Sequence, residues 1–381
     1  MTITNTDILA NSPISFPGLF GNWEFTASSV ALNIGHGIYW YGIILGLGVL
    51  FGMLLCLKQA KHYGIQEDNL LDLVLMGVPL GILGARIYYV LFYLDRFRNT
   101  DGSLNWGSIV AIWDGGLAIY GTVIAVFLMA FLYCRRKHIR LGAMTDLCVM
   151  GLMLGQAIGR WGNFMNREAF GAETTLPWRM RLTTIYGSFV EVHPTFLYES
   201  LWNVLGLCLV LFVISKARHF DGENTWFYFL WYGMGRFWIE GLRTDSLYLF
   251  DWTFMGEPIR VSQALSLVMI LVSAAMLFYQ IRIRHASRAD LMVNQLAADE
   301  AEAAESTGES TDTREAEAAE SSSEPDGEPT ADAQPETPAE GGSTETPAVS
   351  LPTQEQVEQT AGSLYSAAST VLDAILGGSG N

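Results

Sequence analysis

Residues 143–171 read AMTDLCVMGLMLGQAIGRWGNFMNREAFG. The first part is an apolar run of the length needed to cross a hydrocarbon core of about 30 Å as a helix rising 1.5 Å per residue. The second part, from Gly159 to Gly171, sets three glycines, two amides, two arginines and a glutamate directly behind that run. Glycine allows close backbone approach and frees N–H groups for a ligand, and arginine offers a planar fork that suits phosphate. A span that ends in such a cradle points to a membrane protein with a polar site at one face.

The rest of the chain extends this reading. Apolar stretches recur near 37–57, 70–94, 116–134, 143–159, 196–215, 225–240 and 261–281, seven in all. Half of the 381 residues are apolar and only 16% are charged, against about 25% in soluble domains. Short cytoplasmic loops should carry the excess of Lys and Arg. Alternate connections do so: Lys58 and Lys61; Arg135, Arg136, Lys137 and Arg140; Lys216 and Arg218; Arg282, Arg284 and Arg288. The expected fold is an all-α polytopic membrane protein of seven transmembrane helices, with the N-terminus outside and the C-terminus cytoplasmic. The expected domains are an extracytoplasmic segment over 1–36, a seven-helix transmembrane domain over 37–285 and a disordered acidic cytoplasmic tail over 286–381.

The net charge of −17 comes from that tail. From Ala289 onward there are 20 Asp or Glu and one basic residue, Arg314, which leaves +2 for residues 1–288. A segment so polar buries too little apolar area to offset chain entropy. Val357–Leu376 is the exception, with apolar residues at helical spacing that suit a transient amphipathic helix or a membrane contact. Cys56, Cys134, Cys148 and Cys208 share no metal-ligand spacing, so neither a disulfide framework nor a metal site is expected. No basic residue precedes an apolar core at the N-terminus, so the first span serves as the targeting signal.

Ionisable groups at membrane depth cost roughly 2.5–3.5 kcal/mol each and so need a partner or a purpose. Besides Arg160 and its neighbours, they concentrate in His193-Pro194-Thr195-Phe196-Leu197-Tyr198-Glu199, in Trp113-Asp114-Gly115-Gly116 leading to Tyr120, and in Arg236, Glu240 and Arg243. Glu199 calls for an arginine from another span. His193 alone also suits a helix cap, Tyr120 plain packing, and Tyr39-Trp40-Tyr41-Gly42 an interfacial aromatic belt. By span direction Tyr41, Tyr120, Arg160, Asn163, His193, Glu199 and Arg236 fall near the outer ends, whereas Arg86 and Asp146 are expected nearer the centre or the inner face.

Together these motifs resemble the prolipoprotein diacylglyceryl transferases, bacterial membrane enzymes. The resemblance covers about residues 30–285. It rests on Gly159-Arg160-Trp161-Gly162-Asn163-Phe164-Met165-Asn166-Arg167-Glu168 with Gly171, and on Trp40-Tyr41-Gly42, Gly84-Ala85-Arg86-Ile87, Trp113-Asp114-Gly115-Gly116, His193-Pro194 with Tyr198-Glu199, and Gly235-Arg236-Phe237 with Glu240 and Arg243. It implies a multi-pass protein of the bacterial cytoplasmic (inner) membrane, with 37–285 as the catalytic domain. The implied reaction moves the diacylglyceryl group of phosphatidylglycerol to the lipobox cysteine of a preprolipoprotein, forms a thioether and releases glycerol phosphate. The partners are that lipid, the lipobox peptide and the membrane, with no nucleic acid and no cofactor.

Within that reading Arg160 and Arg236 stabilise the departing phosphate, and Glu199 and Glu240 hold the arginines. Tyr41, Asn163, Asn166, Glu168, Gly171, His193, Tyr198 and Arg243 line the substrate. The resemblance often places a histidine where this chain has Tyr120, so Tyr120 either handles the thiol proton or orients lipid or thiol, and His193 is a substitute base. Two other classes suit the same residues: a transporter or channel for a small anion, and a membrane scaffold recruiting partners through its acidic tail.

Overall fold

The computed structural model describes residues 5–33, 37–99, 101–112, 115–244, 248–254 and 257–303. The chain divides into two compact units, Met1–Gln295 with Thr370–Asn381, and Leu296–Ser369. Of the second, 296–303 are described and helical. The polar clusters all belong to the first.

Each of the seven apolar stretches is a helix. Six are long and apolar enough to cross a membrane: α1 (Trp40–Tyr63), α2 (Glu67–Phe92), α3 (Ile119–Lys137), α4 (Leu141–Asn166), α5 (Thr195–Ala217) and, last in the chain, α7 (Val261–Ile283). The remaining helix, α6 (Glu223–Leu242), has 20 residues but carries Glu223, Arg236 and Glu240 and is not among the six.

α4 is the hub. α1, α5 and α6 pack on it, α2 pairs with α3, and α6 pairs with α7. Met144, Leu147, Met150 and Met153 of α4 are fully buried among Cys56, Cys134, Leu207 and Tyr228. Gly48 and Gly52 of α1 face Gly155 and Gly151 of α4. Small residues suit a helix pair in lipid, where close packing rather than water exclusion drives association.

Contacts between antiparallel neighbours define two ends. At the basic end, Asp146 accepts hydrogen bonds from the backbone of Gly222 (2.8 Å) and Thr225 (2.9 Å), so a side chain of α4 caps the start of α6. Arg218 lies 3.6 Å from Asp146 and stacks 4.1 Å over the Tyr63 ring.

The other end carries strands that the all-α expectation omits. β1 (Ile14–Ser15), β2 (Glu24–Phe25), β5 (Met180–Thr183) and β6 (Phe189–Val192) form an antiparallel sheet in the order β2-β1-β5-β6. Two-stranded pairs join β3 (Val30–Leu32) to β4 (Ile38–Tyr39), and β7 (Tyr248–Phe254) to β8 (Glu257–Arg260). Ile14, Met180, Leu182, Val190 and Val192 point into a second core with Phe164, Phe170 and Phe196. The segment expected as a separate extracytoplasmic piece therefore folds together with the connection between α4 and α5. All but β7 are strands of two to four residues, too short for a period-two pattern to stand out.

The tail departs from expectation at its root. Disorder was expected from 286, but a capped turn at Arg288–Asp290 leads into a helix that starts at Met292. Leu291 and Met292 are buried. The Met292 N–H donates to Asp221 (2.9 Å), the Arg140 N–H donates to the Met292 sulfur (3.3 Å), and the Arg140 guanidinium bonds Asp290 and Gln295. Two apolar side chains supply what the acidic composition hides. The tail from 304, including Val357–Leu376, lies outside the described residues.

Candidate functional site

The sequence reading ends the fourth span at 159 and takes the glycine-rich stretch up to Gly171 for a ligand cradle behind it. In the structure α4 runs to Asn166, so Gly159 and Gly162 are helical and their backbone N–H groups do not form a phosphate cradle. Gly162 serves another purpose. A Cβ there would meet the Tyr41 ring at 2.5 Å, so the glycine seats Tyr41 flat on α4. The helix ends at Arg167, which has φ +57° and is buried. Its guanidinium donates to the carbonyls of Ser12, Met165 and Ala27 at 2.5–2.9 Å. Arg167 therefore pins the N-terminal segment to the end of α4, and these bonds offset the cost of a left-handed conformation in a residue with a side chain.

Arg160 lies nearly two turns earlier on the same helix, and Glu199 of α5 faces it. Arg160 Nη2 is 2.5 Å from Glu199 Oε2, and Glu199 is buried. Arg236 of α6 and Arg243, just beyond that helix, each place Nη1 3.7 Å from Glu199 Oε1. Arg236 also bridges Glu240 one turn on, at 2.7 Å. Arg260, at the start of α7, donates to the Glu240 and Arg243 carbonyls. Three guanidiniums from three segments thus gather on one carboxylate, a second carboxylate holds one of them, and the cluster keeps a net positive charge.

Arg236 and Glu199 open on a narrow cleft, lined also by Trp202, Asn203, Tyr232 and Gly235. A fixed cationic cluster in such a cleft is suited to bind an anion and to stabilise negative charge that builds during reaction.

Other expected residues occupy distinct places. Asn163 and Asn166 donate to Glu168 Oε1 at 2.9 and 3.3 Å, so the amides are engaged with that carboxylate. Tyr41 lies within electrostatic reach of both Glu168 and Arg160. The φ of Gly171 is not positive, and its role is close approach. A Cβ there would lie 2.7 Å from His193 Cβ and 3.0 Å from the Leu242 carbonyl. Gly171 pairs with Arg243 as an isolated bridge and bonds the His193 carbonyl (3.0 Å), which places His193 beside the arginine cluster. His193 Nδ1 meets the Tyr198 hydroxyl at 3.1 Å.

Tyr120 is 60% exposed, its ring meets Tyr88 (6.2 Å between centroids), and its hydroxyl makes no hydrogen bond among the described residues. The structure does not join it to the arginines. Arg86 was expected centrally, but it lies at the site end, where it donates to the carbonyls of Ser108, Ile109, Ala111, Gly115 and Gly116. It braces the connection that leads to Tyr120. Trp113 and Asp114 of that motif lie outside the described residues.

Sequence reasoning missed the lock between α5 and α6. Trp202 and Trp231 stack at 4.3 Å, and each indole N–H donates to the other's carbonyl at 2.9 Å. Gly206 and Gly235 make room, each sitting under the opposite indole. The lock lies three residues after Glu199 and five before Arg236, so it sets the spacing of the ion pairs. The signal was present as the same W-x-x-x-G spacing in two successive spans.

A bundle of apolar helices with a carboxylate-braced cationic cleft at one end defines a polytopic membrane enzyme acting on an anionic group. The chain belongs to the prolipoprotein diacylglyceryl transferase family, whose model matches residues 29–279. A phosphatidylglycerol–prolipoprotein diacylglyceryl transferase of Finegoldia magna is 44% identical over 243 residues, covering 64% of this chain and 91% of the relative. The enzyme of the same name from Listeria innocua is 42% identical over 269 residues, covering 68% and 92%. That from Bacillus cereus is 41% identical over 252 residues, covering 64% and 88%.

Proposed function

We propose that the chain transfers the diacylglyceryl group of phosphatidylglycerol to the lipobox cysteine thiol of a preprolipoprotein. The family assignment supports the reaction, and one observation carries its assignment to this site. Arg160, Arg236 and Arg243 converge on Glu199 and leave the cleft positive. In this reading all seven helices span a bacterial cytoplasmic membrane, with the N-terminus and the site outside. α6 crosses because Arg236 faces Glu199, Glu240 pairs with Arg236, and Glu223 bonds His219 rather than facing lipid. The alternation of basic loops supports that orientation.

The sulfur attacks the glycerol carbon that carries the phosphate ester. A C–S bond forms, the C–O bond breaks, glycerol phosphate leaves with the electron pair, and the thiol proton is released. Charge on the departing phosphate grows through the transition state, so guanidiniums held by Glu199 and Glu240 bind it more strongly there than in the ground state. A thiol of ordinary pKa, about 8.5, is only a few per cent thiolate at neutral pH, and the positive cluster raises that fraction. Tyr41, with Asn163 and Asn166 through Glu168, lines the glycerol side.

The test is reconstitution of purified protein with phosphatidylglycerol and a lipobox peptide. The peptide should gain the mass of one diacylglyceryl group, and an equivalent of glycerol phosphate should appear. A protein that moves anions across vesicles and forms no thioether would overturn the assignment.

A further inference from the structure

His193 ends its ring contacts in a directed chain. Trp178 Nε1 lies 2.7 Å from the Tyr198 hydroxyl oxygen, which lies 3.1 Å from His193 Nδ1. An indole N–H can only donate, so the Tyr198 oxygen accepts from Trp178. The Tyr198 proton then points away from Trp178, and among the described residues His193 Nδ1, in the tautomer that accepts, is the partner within reach. Burial holds the His193 imidazole below its ordinary pKa, which favours the neutral ring. A neutral imidazole that accepts at Nδ1 carries its proton at Nε2. The backbone fixes the ring's root: the His193 N–H donates to Ala172 and its carbonyl accepts from Gly171, which pairs with Arg243 beside Glu199.

We infer that the Trp178–Tyr198 pair locks His193 as a fixed Nε2–H donor, which binds an oxygen of the anionic lipid head group beside Arg243 and does not serve as the thiol base. Trp178 and Tyr198 are positioning residues that act through His193. The ligand half of this assignment rests on the transferase reading; the tautomer does not.

Nitrogen-15 NMR of full-length protein labelled at histidine, with His193 assigned from the signals that disappear in His193→Gln, reads the tautomer directly. The expected spectrum at neutral pH has Nδ1 of the unprotonated type and Nε2 of the protonated type, and Trp178→Phe should mix the two forms. Turnover with phosphatidylglycerol and lipobox peptide tests the role. His193→Ala should lose about tenfold to a hundredfold, the loss expected for one hydrogen bond to a charged group. His193→Gln, which keeps a donor near the Nε2 position and titrates nowhere, should recover most of that loss, and His193→Asn should not. A protonated Nδ1 in the wild type overturns the lock. Activity of His193→Gln as low as that of His193→Ala, in protein with an unchanged melting temperature, overturns the donor role. If the wild type forms no thioether, the transferase reading falls while the spectrum still decides the tautomer.

Discussion

Replacing Arg160 by alanine separates binding chemistry from scaffold. Arg160 is the closest partner of Glu199, at 2.5 Å, but Arg236 and Arg243 remain at 3.7 Å. Stripping a buried charge of its partner costs about 3–5 kcal/mol. Glu199 keeps two cations in Arg160→Ala, so the loss of stability should fall below that range and the protein should remain folded. The chemical step loses a fixed donor aimed at developing charge, worth roughly 10²–10³ in turnover, or about 2.7–4 kcal/mol. Arg160→Lys keeps the charge but loses the fork that spans carboxylate and phosphate, so it should fall between the two. The assay is thioether formation on a lipobox peptide in lipid nanodiscs, with thermal unfolding as the control. Turnover of folded Arg160→Ala within about tenfold of wild type, far short of the expected loss, would refute the phosphate role.

The packing leads to three further outcomes. Gly171→Ala should lower turnover more than stability, because the new methyl pushes on His193 and the Leu242 carbonyl and shifts Arg243; kinetics and melting on one sample decide this. Trp202→Ala should destabilise the protein by about 3–5 kcal/mol, the usual cost of deleting a packed aromatic, because it also opens the α5–α6 lock; denaturation in mixed micelles measures it. Truncation after residue 303 should leave transfer and melting nearly intact, whereas truncation after 287 should lower the melting temperature, because it removes Leu291 and Met292 from the notch at Arg140 and Asp221.

The helices were legible because lipid imposes one rule, a long apolar run, and α1 to α7 obey it except where α6 carries its charges inward. The ion pairs were half legible. The expense of Glu199 in an apolar span called for an arginine, and Arg160 supplies it. Pairing across helices depends on rotation about each axis, which spacing along one chain does not fix, so the convergence of Arg236 and Arg243 on the same carboxylate was not legible. The glycines misled. Gly159 and Gly162 looked like a flexible cradle, but in a helix a missing side chain equally marks where a neighbour such as Tyr41 presses in. The buried pair Leu291 and Met292 was masked by the acidic composition downstream.

Solid-state NMR of the reconstituted protein with phosphatidylglycerol can measure phosphorus-to-guanidinium distances, assigned with Arg160→Lys and Arg236→Lys. Close approach of the lipid phosphorus to both the Arg160 and the Arg236 guanidiniums, within about 4–5 Å as charge-assisted hydrogen bonds require, is the predicted result. A lipid phosphate that contacts neither arginine in an active preparation would contradict the account.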